Sequence, residues 1–145
     1  MSRIDFIFEE IKPLKIQKKI LKKHIQSLVK AEGNKPGDIT VVFCSDEYLL
    51  KMNKKYLNHD YFTDIITFDY VENDIISGDL FVSIDRIKEN AGTYKTSFLK
   101  ELYRVVFHGV LHLNGYKDKT EEDVKLMRAK ENYYLGEVDL SEIEK

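Results

Sequence analysis

The chain has 145 residues, 43% hydrophobic and 33% charged, a single domain of ordinary globular composition that excludes disordered, collagen-like and fibrous classes. A lone Cys44 excludes a disulfide scaffold, and no apolar run approaches the ~18 residues of a membrane span. Net charge is −2, but residues 1–60 hold 12 Lys/Arg against 8 Asp/Glu and the remainder 11 against 17, so an electropositive N-terminal face is compatible with an acidic whole.

The opening MSRIDFIFEE has acids where a signal peptide needs an apolar stretch, so the expected compartment is the cytoplasm. Ile4–Phe8 alternates and predicts a strand. Pro13 is expected to open a helix reaching Val29, with Leu14, Ile20, Leu21, Ile25, Leu28 and Val29 at helical spacing, Ile16 off it, and lysines on the other side. Six lysines lie between Lys12 and Lys23; they fit either a phosphate-binding face or a solvated one. Gly33–Asp38 reads as a turn, and Ile39–Phe43 as a central strand. Ser45 suits the N-cap of a helix to about Leu57. Strands are expected at Thr63–Tyr70 and Gly78–Ile84, with a turn at Asn73-Asp74. Ser83 or Asp85 caps a short helix, and Thr96 or Ser97 starts a long one that Gly115 ends. Thr120 with Asp123 resembles a capping box for a last helix, and the acidic tail 137–145 is expected to fray. The pattern predicts one α+β domain over residues 1–145, a mixed sheet of about four strands packed with helices.

The chemistry concentrates in Phe107–Asp118. His108 and His112 are four apart on the long helix, so their side chains lie about 40° apart on one face. Two imidazoles so placed can share a metal ion. Gly115 lets the chain turn back, which brings Asp118 within reach as a third ligand. Three protein ligands and an open fourth position form the catalytic arrangement of zinc. Asp118 with Glu121 also fits a helix cap, so both readings stand. Gly109 in mid-helix costs about 1 kcal/mol against alanine, which close approach to another element would offset. Metzincin-type peptidases place a glutamate base directly after the first histidine. Gly109 occupies that position, which weakens a proteolytic reading. Glu101, two turns before His108, is either the acceptor for a histidine's second nitrogen or an exposed carboxylate. His24 and His59 read as surface residues.

His108-Gly109-Val110-Leu111-His112-Leu113-Asn114-Gly115-Tyr116-Lys117-Asp118 resembles the signature H-G-x-L-H-L-x-G-Y-D-H of the YbeY family, the bacterial rRNA-maturation endoribonucleases. Met52–Leu57, Thr63-Asp64-Ile65-Ile66-Thr67-Phe68 and Gly78-Asp79-Leu80 resemble further family segments in the same order. The resemblance implies a zincin-like fold and one Zn2+ per chain, held by His108, His112 and, where the family has a third histidine, Asp118. It implies a metal-dependent endoribonuclease acting on single-stranded rRNA, with the small ribosomal subunit as partner and no membrane. No general acid or base is singled out. Thr63, Asp64, Thr67 and Arg104 are candidates for the substrate cleft. The family arginine falls on Leu57, so either another cation such as Lys54, Lys55, His59 or Arg104 holds phosphate in its place or that residue is dispensable. The alternative to the nuclease is a ribosome-associated assembly factor that binds RNA around a structural metal. A metzincin-like peptidase ranks below both.

Overall fold

The computed structural model describes residues 3–144. Along the chain lie β1 (Ile4–Phe8), α1 (Lys18–Ala31), β2 (Lys35–Cys44), α2 (Asp46–Leu57), β3 (Ile65–Asp69), β4 (Ile75–Ser83), α3 (Ile84–Thr93), α4 (Phe98–Leu113), α5 (Glu121–Leu135) and α6 (Leu140–Ile143). The sheet runs β1-β2-β4-β3, the first three strands parallel and β3 antiparallel to β4. This is the expected α+β architecture with a four-stranded mixed sheet. The parallel pairs need crossovers, which α1 and the α2–β3 segment supply.

Most helix starts follow the expected caps. Ser45, Ser83, Ser97 and Thr120 each accept a hydrogen bond from the backbone N–H three residues on, and Asp123 completes a capping box with Thr120. Some boundaries differ, among them that of β4, which starts at Ile75 rather than Gly78. Pro13 does not open a helix, because α1 begins only at Lys18. Leu14 and Ile16 are two apart, an alternating spacing, and both pack against the core from irregular chain. Strand β2 starts at Lys35 rather than Ile39. Gly33, at φ +84°, completes the turn early, and the irregular register at Pro36–Ile39 tolerates a proline. The described part of the acidic tail includes a short helix. Asp139 caps α6, and Val138 and Ile143 are buried in the main core.

Helix α4 is apolar on nearly every side, the signature of an enclosed helix. It lies against β3 and β4, with α1, α3 and α5 around it. A Cβ on Gly109 would stand 2.6 Å from Ile65 Cδ1 and 2.9 Å from Leu80 Cδ2, so this glycine is where the helix meets the sheet. Gly78 answers from the strand, with Leu113 on one side and the Phe68 carbonyl on the other. On the opposite face of the sheet, Cys44, Leu49 and Ile66 form a smaller core under α2.

Candidate metal centre

Burying α4 on the sheet leaves His108 and His112 pointing outward, one turn apart. Their Nε2 atoms are 3.0 Å from each other. Gly115, at φ +102°, ends the helix: its N–H bonds the His112 carbonyl and the Tyr116 N–H bonds that of Leu111. The chain then doubles back. Asp118 Oδ2 arrives 3.2 Å from His112 Nε2 and 3.4 Å from His108 Nε2. Because Thr120 caps α5, Asp118 is not used as a cap.

The outer nitrogens decide what these three atoms are. His108 Nδ1 lies 2.7 Å from Glu131 Oε2, and His112 Nδ1 lies 2.8 Å from the Tyr116 carbonyl. Both partners are acceptors, so each Nδ1 donates. In the neutral rings each Nε2 then carries a lone pair. Two lone pairs and a carboxylate oxygen converge, an arrangement that is favourable only around a cation. A tetrahedral ion with bonds near 2.1 Å holds its ligands about 3.4 Å apart, close to the spacing found here. The surroundings favour positive charge: burial would strip a proton from His108, but the Glu131 hydrogen bond and the charges of Glu131, Asp64 and Asp118 outweigh it and raise its pKa, so a proton and a metal ion compete for this ring. The trio His108, His112 and Asp118 can therefore hold a metal ion. Cys44 is elsewhere, and burial pushes its thiol to about 12, so it supplies no thiolate.

Glu131 was not legible as the acceptor. It is 4% exposed on α5, within the otherwise apolar stripe Met127, Glu131, Tyr134 and Leu135. A lone carboxylate on a buried helical stripe was the available signal. Glu101 takes neither expected role: it is 2% exposed and pairs with Arg104 at 3.3 Å. Arg104 also reaches Glu131 at 3.3 Å, so its guanidinium is tied between two buried carboxylates.

Asp64 and Arg104 line the cleft beside His108 and Asp118, along with Asn90 and Tyr94. Burial raises the Asp64 pKa, opposed by His108. Thr63 and Thr67 do not line it. Thr63 bonds the Ile65 carbonyl at 3.4 Å, and Thr67 sits in β3 opposite Leu80. Of the residues considered in place of an arginine at Leu57, Lys54 pairs with Asp60, Lys55 lies over the Tyr56 ring and His59 bonds the Tyr61 hydroxyl. None of those three borders the cleft. Lys18, Lys19 and Lys22 lie beside β1, at the sheet edge remote from β3. His24 is half-buried with its ring edge-on to Tyr103, not a surface residue.

Residues 6–139 match the sequence model of the family described as Endoribonuclease YbeY. The chain belongs to the YbeY family. An Endoribonuclease YbeY from Azobacteroides pseudotrichonymphae is 48% identical over 85% of this chain and 88% of its own. The YbeY protein of Parabacteroides distasonis is 46% identical over 92% and 94%, and that of Flavobacterium psychrophilum 50% over 77% and 79%. A solution structure of a Thermotoga maritima protein superposes with a TM-score of 0.65 at 30% identity, covering 91% of this chain and 86% of that one. Among the described residues, no helix is long and apolar enough to cross a membrane.

Proposed function

We propose that this chain is a single-domain, metal-dependent endoribonuclease that cleaves single-stranded rRNA in ribosome maturation and quality control, with one Zn2+ held by His108, His112 and Asp118. The observation that carries the metal reading is the convergence of three acceptor atoms whose outer partners, Glu131 and the Tyr116 carbonyl, leave both Nε2 lone pairs free. Membership of a family named for endoribonuclease activity supports the reaction class. The small ribosomal subunit is the partner this reading implies, and the cytoplasm its compartment.

An ion at this site supplies Lewis acidity toward a phosphoryl oxygen or water. The residues of the chain do the rest. Glu131 and the Tyr116 carbonyl fix the tautomer and tilt of the two rings. Asp118, partly exposed, closes the ligand set while keeping one side open to substrate. Asp64, held by its carbonyl to the Ser83 N–H, sets a half-buried carboxyl in the cleft wall. A peptidase base has no room: the position after His108 faces Ile65 and Leu80 in the core, not the metal.

Elemental analysis of chelator-free protein tests the site. Wild type is expected to hold about one zinc per chain and Asp118→Ala much less. Wild type should cut a small-subunit rRNA fragment, and folded His112→Ala should not. Metal-free wild type would overturn the site. RNA binding without cleavage would replace the nuclease by an assembly factor with a structural metal.

A further inference from the structure

The metal cleft does not end at His108. It continues past Tyr94, Glu101, Arg104 and Arg128 into a second hollow at the turn between α3 and α4, where Lys95 and Lys100 join the lining. The cations here differ in their commitments. Arg104 is tied between Glu101 and Glu131. Arg128 touches Glu131 at 3.4 Å yet keeps a side chain 52% exposed. Lys95 and Lys100 make no ion pair among the described residues. Tyr94 caps α3 through its backbone and is 60% exposed as a residue. Uncommitted positive charge beside an exposed aromatic ring, continuous with the metal cleft, matches the demands of an unstacked, polyanionic strand.

We propose that this hollow is a subsite for single-stranded RNA flanking the cleaved bond, in which Lys95, Lys100 and Arg128 take backbone phosphates and Tyr94 stacks a base. The proposal rests on the ribonuclease reading and says where the strand leaves the metal. It also accounts for Leu57: phosphate is held from the α3–α4 side of the cleft, not from α2. Lys18, Lys19 and Lys22, at the β1 edge of the sheet, play no part in it.

The test is anisotropy of a labelled 2′-O-methyl RNA of about 12 nucleotides on metal-loaded protein across a salt series. Lys95→Gln/Lys100→Gln is expected to weaken binding about tenfold and flatten the log–log salt slope by ~1.4, the share of two single-strand phosphate contacts. Tyr94→Ala should weaken binding about fivefold or more, with the slope unchanged. Lys18→Gln/Lys22→Gln should bind like wild type. These side chains are exposed or partly exposed, so metal content and thermal midpoint should stay put and show that each variant is folded. Wild-type affinity and slope in the Lys95/Lys100 variant would overturn the subsite, as would loss in the Lys18/Lys22 variant instead. Cleavage of unmodified RNA, run alongside, separates the two ideas. A wild type that cuts but binds independently of the hollow keeps its function and loses the subsite. One that binds through the hollow without cutting keeps the subsite and loses the nuclease reading.

Discussion

Glu131 carries more of the site than its distance from the histidines in sequence suggests. It receives the His108 Nδ1–H at 2.7 Å and anchors Arg104 with its other oxygen. A carboxylate behind an imidazole raises the basicity of the coordinating nitrogen and locks the ring. Glu131→Gln keeps the volume and removes the charge. It is expected to weaken zinc affinity by about tenfold or more, measured by competition with a chromophoric chelator. Unchanged affinity would mean that His108 is oriented by packing alone. The histidines themselves were readable because their spacing is local. Glu131 was not, because it lies 23 residues from His108 and meets it only once α5 packs on α4.

At the scale of elements, the site depends on how closely α4 approaches the sheet. Two glycines set that distance, Gly109 on the helix and Gly78 on β4. At Gly78 an added methyl would stand 2.5 Å from the Phe68 carbonyl, a backbone atom of β3 that has little freedom to retreat. Gly78→Ala should therefore lower stability by about 1–3 kcal/mol, read as a reduced urea midpoint with an unchanged slope. Wild-type stability would show that β3 can shift. The elements themselves were largely legible. Serine caps, the Gly115 stop and the alternation of β1 are short-range signals. The start of α1 is not legible in the sequence, because Pro13 permits a helix without requiring one. The apolar positions that follow it obey the demands of the core instead.

Across the whole molecule, Glu32 ties three distant segments together. At the end of α1 it accepts hydrogen bonds from Tyr116, just past α4, and Tyr134 on α5, with Lys130 nearby at 3.4 Å. Burial alone would raise its pKa, but the two hydroxyls and the ammonium hold it below the ordinary carboxylate value of 4.5. A lowered pKa means that the folded chain binds fewer protons here than the unfolded one. The stabilisation is complete above that value and is lost as pH falls below it. Glu32→Gln should thus destabilise at neutral pH. The gap to wild type in urea unfolding should close as pH falls below about 4.5. A gap constant with pH would assign the effect to packing. Tyr116 also presents the carbonyl that orients His112, so this network couples the metal centre to the far ends of α1 and α5.

Periodicity, caps and one dense motif determined the class of fold, the helix that bears the histidines and the turn that returns Asp118 to them. All of these act within about one or two helical turns, where side-chain direction follows from residue spacing alone. Strand order, the Glu131–Arg104–Glu101 chain and the remoteness of the N-terminal lysines from the cleft belong to the tertiary structure. They join residues far apart in the chain, and only the packing of α4 between the sheet, α1, α3 and α5 brings such residues together or keeps them apart.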